Sequence, residues 1–454
     1  MAITWRPASR YGVVALIVAL GLLLRGYYLH LHPHDLPEAE AFRITAAFAR
    51  TGTLGDPYLG HTGATAHLLP VPLLVGGLVY SLLGVASRSA EAVLSIWSLG
   101  LVFTAFCLTA LTFRRAGAPI ATSLMGMALC CGLPLNLGLE AVTFRLWEGG
   151  LAVAIAAGLM LALVTLDRER EPPSTRATMA LAVAAALLFF VSPQLGVAGY
   201  AGVALLYLRR VAARRWPGAL VAAALALAAV TAPWVVRNER VFGAPMLRSN
   251  LGLELAISFH PAAVDAPDPR QVYIDRMRAV HPLASRQAFD RMVRSGGEVA
   301  YSRRLGSETR AWIAAHPASA ARIGARHLWQ YLFPPAWLFR AIDPAADRAI
   351  AFKAAAVWLL AALGLLDLAR RLVAEPRSGF SYLAVLVIVT ALPFVLVQPI
   401  LRYRYLIYVP MTFYAADLGV WVLMLWPKTR VLVEAVERWW AGPRHAEPRI
   451  SLMR

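Results

Sequence analysis

Residues 90–113 read AEAVLSIWSLGLVFTAFCLTALTF, and residues 149–166 read GGLAVAIAAGLMLALVTL. The first stretch holds a single charged residue, Glu91, and the second holds none. The hydrocarbon core of a bilayer is crossed by about 20 consecutive apolar residues in a helix. Each stretch therefore predicts a membrane-spanning helix.

The rest of the chain repeats this pattern. Of its 454 residues, 59% are hydrophobic and 15% are charged, with a mean hydropathy of +0.58. An average soluble domain is about half apolar and a quarter charged, so the composition excludes a disordered chain, a collagen-like chain and almost any soluble enzyme. We predict an all-α polytopic membrane protein with about ten spans, in the apolar runs 11–30, 90–113, 118–138, 149–166, 177–192, 194–208, 218–236, 351–369, 380–398 and 405–426.

The net charge of +18 comes from arginines between the apolar runs, not from one polar face. This predicts membrane lipids, and no nucleic acid, as partners. Short loops rich in arginine are normally cytoplasmic. All such loops of this chain fall on that side only if one apolar run before residue 113 does not cross the membrane. The run 68–86 is the candidate, because its prolines and glycines weaken a straight helix. We expect it to re-enter or to lie at the outer interface; the alternative is an ordinary span.

This topology divides the chain into four parts. An N-terminal membrane module, 1–236, includes a first outer loop at 31–89. A polar and amphipathic segment, 237–350, is expected to form a helical cap outside the membrane. The C-terminal spans follow at 351–426, and the cytoplasmic tail at 427–454 contains an amphipathic piece expected on the inner leaflet.

Carboxylates follow the first span, in the outer loop. Asp35, Glu38 and Glu40 come directly after it. Carboxylates at the mouth of a membrane cavity are candidates for a functional site. Glu38 and Glu40 would point to different sides of a helix, so only one of them is expected to face a cleft. The alternative is that both are solvated acids in the first turn of a helix, where the dipole favours them.

Further candidates lie near other span ends. His61 and His67 give a weak zinc signal without a third ligand, and we expect them to bind a phosphate or to line a pocket. Glu148 opens a span, as a second carboxylate over the cavity or as a helix-start acid. Arg237, Arg402 and Arg404 could bind a phosphate; the alternative is that they anchor helix ends at the interface.

Several segments resemble one family. The stretch PWVVRNERVFGAPMLRSNLGLEL, from Pro233, and GATAHLLPVPLLVGGLVYSLLG, from Gly63, are similar to segments of bacterial relatives of the protein O-mannosyltransferases and the aminoarabinose lipid A transferases. The segment EVAYSRRLGSETRAWIAAHP and the run Arg402–Tyr405 also look like family features. These proteins are membrane glycosyltransferases of the GT-C fold, similar to glycosyltransferase family 39.

The resemblance implies an inverting transfer, at the periplasmic face of the bacterial inner membrane, from a polyprenyl-phosphate-linked sugar to a glycan, lipid or protein. It implies a catalytic acid in the first outer loop. Counting back from Ala46 gives Glu38, and a shift or local bulge would favour Glu40. It places Glu148 as a second acid and the three arginines near the donor phosphate, with His67 as a further candidate. A divalent cation, Mg or Mn, is the cofactor to test for.

Two other functions are open at this point. A transporter or flippase of lipid-linked sugars would place ionisable residues at mid-membrane depth and would show paired repeats; few such residues and no repeat are present. A non-catalytic protein that binds a lipid-linked sugar is the second alternative, because the acidic motif departs from the family pattern.

Overall fold

The computed structural model describes residues 8–37, 39–340 and 347–441. Within them the chain is helical, with no strand and one isolated β-bridge between Gly55 and Ala64. The helices of the first half are α1 Ala8–Leu31, α2 Ala39–Thr51, α3 Pro70–Leu83, α4 Arg88–Ala116, α5 Ile120–Gly132, α6 Leu137–Ala141, α7 Gly149–Arg168, α8 Thr175–Val191, α9 Pro193–Arg210 and α10 Trp216–Phe242. Those of the second half are α11 Leu251–Ser258, α12 Pro269–Val280, α13 Arg286–Arg294, α14 Glu298–Ala315, α15 Pro317–Leu332, α16 Ala336–Arg340, α17 Asp347–Ala374, α18 Phe380–Ala391, α19 Leu401–Leu425 and α20 Pro427–Ala441.

The prediction of an all-helical polytopic membrane protein is confirmed. Six helices among the described residues are long and apolar enough to cross a membrane, and the bent pair α5–α6 makes a seventh candidate. The six are Arg10–Leu31, Arg88–Ala116, Gly149–Arg168, Ala213–Phe242, Arg348–Ala374 and Leu401–Leu425. The other three of the ten predicted runs fall on α8, α9 and α18, which are shorter or less apolar.

Helix α3 covers the doubtful run 68–86. Its 14 residues span only about 21 Å at about 1.5 Å per residue, less than the roughly 30 Å of a hydrocarbon core. A Cβ atom on Gly77 would lie 2.3 Å from the ring of Phe48 in α2, so the glycine allows α3 to pack closely there. The expectation that this run re-enters or lies at the outer interface stays a prediction.

A buried ion pair holds the sharp bend after α5. The chain turns by 82° between α5 and the segment that begins with α6. Such a break leaves carbonyl groups without helical partners, and the Arg25 guanidinium donates to two of them, Cys131 O at 2.6 Å and Cys130 O at 2.9 Å. Arg25 also contacts Glu140 Oε2 at 2.6 Å, and Tyr405 donates to Glu140 Oε1 at 2.8 Å. Both charged side chains are 1% exposed.

Helices α11–α16, which we call the cap, lie between α10 and α17 in the chain and pack on the first outer loop. Tyr58 of that loop joins a small apolar core with Phe289 and Tyr301 of the cap. The Glu298 carboxylate of α14 accepts hydrogen bonds from Thr65 Oγ1 at 2.7 Å and from Ala66 N at 2.8 Å. The cap therefore fixes the segment that leads into His67.

Candidate functional site

A cavity of about 650 Å³ lies between the cap and the membrane helices. Pockets of about 300–1,000 Å³ are typical of small-molecule sites. Among the residues that line this cavity are Asp35, Glu40, Glu254, His281 and Arg402. The cavity therefore brings carboxylates, an imidazole and a guanidinium into one space.

Glu40 lies in the first turn of α2, where the helix dipole favours a carboxylate. Its Oε1 atom lies 2.9 Å from His281 Nε2 and 3.3 Å from His67 Nε2. The Glu40 side chain is 14% exposed, whereas His281 is 5% and His67 is 1% exposed. Both imidazoles contact the same oxygen, and no contact of Oε2 with another described residue is present. Glu40 is thus held on Oε1, and its side chain lines the cavity.

The protein fixes His67 from several sides. Its Nδ1 atom lies 3.0 Å from the hydroxyl of Tyr58, and its backbone carbonyl accepts from Arg248 Nε at 3.1 Å. The backbone N–H of His67 donates to Thr65 Oγ1 at 3.0 Å. Both ring nitrogens of His67 therefore have protein partners, so the ring holds Glu40 and does not face the cavity.

His281 ends α12 and supplies the second imidazole. The backbone N–H of Leu283 donates to His281 Nδ1 at 3.2 Å. This contact helps to set the plane of the ring, so that Nε2 faces the Glu40 carboxylate.

Glu40 and His67 shift each other's pKa values. Burial alone would raise the pKa of Glu40, but the charges and hydrogen bonds of His67 and His281 outweigh burial and hold the pKa of this carboxyl well below its usual range. Burial alone would lower the pKa of His67, but the charge and hydrogen bond of Glu40 outweigh it and raise the pKa. Glu40 is therefore ionised over the whole neutral range.

The same three residues could hold a metal ion, since their ligand atoms lie within 4.8 Å of one another. Two imidazoles and one carboxylate suit Zn²⁺, whereas Mg²⁺ prefers oxygen ligands. The set therefore fits Zn²⁺ better than the Mg or Mn considered from the sequence.

Arg402 is the basic group of the cavity. Its guanidinium carbon lies 3.7 Å from the centroid of the Trp147 ring and 5.1 Å from that of Tyr403. Stacking on an aromatic face stabilises a guanidinium and sets its plane. Arg402 of α19 therefore lines the cavity with a guanidinium whose plane is set by these rings.

The other predicted residues lie elsewhere. Arg237 Nη1 donates to Thr65 O at 2.8 Å, so it supports the segment before His67. Arg404 is 5% exposed and donates to Val357 O of α17 at 3.4 Å. Glu148 is the residue before α7 and is not among the described residues that line the cavity. Glu38 lies outside the described residues.

Two members of the site were missed from the sequence. His281 follows α12 in the cap, 241 positions after Glu40, and Tyr58 lies in the first outer loop. Neither residue belongs to a sequence motif with the spacing of metal-ligating or catalytic residues. The only available signal was that His281, like His67, is one of just 10 histidines in the chain.

No protein-family model matches the chain, and no curated protein matches it. A solved structure of the oligosaccharyltransferase of Archaeoglobus fulgidus, in complex with Zn and sulfate, is similar with a TM-score of 0.50 and 14% sequence identity. The similarity covers 93% of this chain and 51% of the archaeal one, so this chain spans about half its length. ArnT from Cupriavidus metallidurans, bound to undecaprenyl phosphate, matches with a TM-score of 0.36 and 13% identity, over 91% of this chain and 79% of ArnT.

The similarity to the archaeal oligosaccharyltransferase is a similarity of fold, and it extends over nearly the whole chain. This comparison therefore supports the predicted helical membrane fold and shows the fold alone.

Proposed function

We propose that this protein is an inverting glycosyltransferase of the bacterial inner membrane. It moves a sugar from a polyprenyl-phosphate-linked donor to a hydroxyl group of a glycan, lipid or protein. The reaction takes place at the periplasmic face, in the cavity beneath the cap.

One observation carries this proposal. The cavity holds an ionised carboxylate, Glu40, together with a guanidinium that is stacked on an aromatic ring, Arg402. Sugar transfer from a lipid phosphate needs a group that accepts a proton and a group that stabilises a leaving phosphate. The fold similarity to an oligosaccharyltransferase supports the same reaction class.

Glu40 accepts the proton in this mechanism. The acceptor hydroxyl donates a hydrogen bond to Glu40 Oε2 and attacks the anomeric carbon from the side opposite the phosphate. As the new C–O bond forms, the attacking oxygen becomes strongly acidic, so a carboxylate with a low pKa is basic enough to take its proton. One displacement without a covalent sugar–enzyme intermediate inverts the anomeric configuration.

Arg402 stabilises the leaving group. The bond between the anomeric carbon and the phosphate oxygen breaks, and the lipid phosphate leaves with the electron pair. A guanidinium fixed by Trp147 meets this charge without reorganising. Glu40, His67 and His281 would hold Zn²⁺ if it binds, and the ion would supply positive charge to the cavity.

A transfer assay with the full chain in detergent tests this function. Radiolabelled polyprenyl-phosphate sugars are supplied with a membrane extract as acceptor, with and without EDTA or added Zn²⁺. We expect label from one donor to appear in a new product, and to disappear in Glu40→Gln. Glu38→Gln tests the alternative base in parallel.

Glu308→Gln is the matched control, because this glutamate of α14 is 65% exposed and its contact with Arg304 is 3.8 Å long. It should keep wild-type activity. Saturable binding of a donor without transfer would favour the non-catalytic alternative, and neither binding nor transfer would favour a transporter.

A further inference from the structure

Two aromatic side chains of the cap line the cavity together with Glu40 and Arg402. Tyr273 comes from α12 and Trp337 from α16, and their ring centroids lie 5.7 Å apart with an angle of 39° between the planes. The indole Nε1 atom of Trp337 is buried and has no hydrogen-bond partner within the described part of the chain. The mechanism above uses neither residue.

Helix α12 places Tyr273 on the same side of the cavity as His281, which contacts the Glu40 carboxylate. Tyr273, Met277 and His281 follow one another at intervals of four residues, and all three line the cavity. Residues four apart lie on one face of a helix. Tyr273 is therefore about two turns, or roughly 12 Å along the helix, from the imidazole that contacts Glu40.

The neighbouring polar groups indicate what this surface binds. Glu254, Gln398 and Arg402 line the same cavity. A polyprenyl chain against these groups would remove water from them without replacing their hydrogen bonds, which is unfavourable. A sugar ring has an apolar C–H face that packs on aromatic rings and a rim of hydroxyls that can bond to carboxylates, amides and a buried indole N–H.

We propose that Tyr273 and Trp337 form a carbohydrate-binding subsite, which holds a sugar ring of the substrate between the cap and the membrane helices. This inference rests on the proposed function and deepens it. The ring belongs to the donor or to a glycan acceptor, and the cap thereby takes part in sugar recognition.

Binding measurements with the full chain in detergent test the subsite and separate the two sources. The probes are undecaprenyl phosphate, undecaprenyl-phosphate-linked glucose, mannose and aminoarabinose, and purified lipopolysaccharide. Native mass spectrometry gives the affinity for each. In Trp337→Leu we expect roughly tenfold weaker binding of one sugar-bearing lipid, for a donor subsite, or of lipopolysaccharide, for an acceptor subsite. Binding of bare undecaprenyl phosphate should be unchanged.

Further variants test the subsite even if Trp337→Leu does not fold. Tyr273→Leu, on another helix, should reproduce the loss, and Tyr273→Phe, which keeps the ring, should bind as the wild type does. Trp337→Phe keeps a ring without the N–H group and should lose about threefold. Trp329→Leu is the control, since Trp329 is 54% exposed and is not among the described residues that line the cavity.

Equal weakening of bare undecaprenyl phosphate would show that the rings bind the lipid or its phosphate, and would overturn the proposal. So would unchanged binding of every probe, or a wild-type protein that binds no sugar-bearing probe. Sugar-dependent binding without transfer in the assay above would contradict the glycosyltransferase function while leaving the subsite in place.

Discussion

Glu140 and Glu40 are both carboxylates in largely buried positions, and they are held in opposite ways. Glu140 is 1% exposed, with one oxygen on the Arg25 guanidinium and the other on the Tyr405 hydroxyl. Glu40 is 14% exposed, and its two imidazole contacts meet on a single oxygen.

The difference separates a structural carboxylate from a chemical one. Glu140 has both oxygens occupied and a partner whose charge is permanent, so it fastens α1, α6 and α19 together. Glu40 has two imidazole partners on one oxygen, and its side chain lines the cavity. A buried carboxylate is thus a candidate for chemistry when it lines a cavity.

The largest effect is expected for Glu40→Gln. The amide keeps the shape of the side chain but cannot accept the proton, so transfer should fall by about 10²–10⁴-fold. Thermal unfolding in detergent should change little, since no permanent charge loses its partner. An active Glu40→Gln protein would remove Glu40 from the mechanism.

Arg25→Leu should act on stability instead. Removing one partner of a buried pair leaves an uncompensated charge, which costs about 3–5 kcal/mol. We expect a lower unfolding midpoint in Arg25→Leu and recovery of part of the loss in Arg25→Leu/Glu140→Leu, where the Cys130 and Cys131 carbonyls still lack their partner. If the single variant is as stable as the wild type, the pair does not fasten the bend.

His67→Gln should move the pH dependence of transfer. The positive charge of His67 lowers the pKa of Glu40 and burial raises it, so without His67 the pKa rises. The acid side of the pH–rate profile should move to higher pH. His61→Gln, in a side chain that is 99% exposed, is the control and should leave the profile in place. A profile of His67→Gln that matches the control would contradict this role for His67.

The smallest effect is expected for the pH dependence of stability, through a buried histidine whose pKa is not set by a carboxylate. Burial is the main cause that lowers the pKa of His327, in α15 of the cap, to about 4. This pKa is below the unfolded value of about 6.5. The contribution of the buried, neutral His327 to the free energy of unfolding is therefore complete above about pH 6.5 and is lost as the pH falls toward 4. The unfolding temperature of the wild type should fall over this range, and less so in His327→Gln. Equal slopes for both proteins would exclude His327 as the cause.

Much of the fold could be predicted from local sequence. Each of the ten apolar runs contains a helix, because a helix in a bilayer satisfies its backbone groups within one segment. The bend after residue 132 was not predicted. Its carbonyl groups are satisfied by Arg25, about 105 positions earlier in the chain, and no local pattern contains that information.

The sequence by itself determined that the chain is a helical, multi-pass membrane protein, and it named Glu40 and Arg402 among several candidates, since apolar length and charge next to spans are local properties. Only the tertiary structure decided that His281 and Tyr58 join the site, that His67 holds Glu40, and that Arg237 and Arg404 lie away from the cavity. Packing of the cap on the first outer loop brings these groups together. Such contacts depend on distances across the fold, which sequence spacing does not encode.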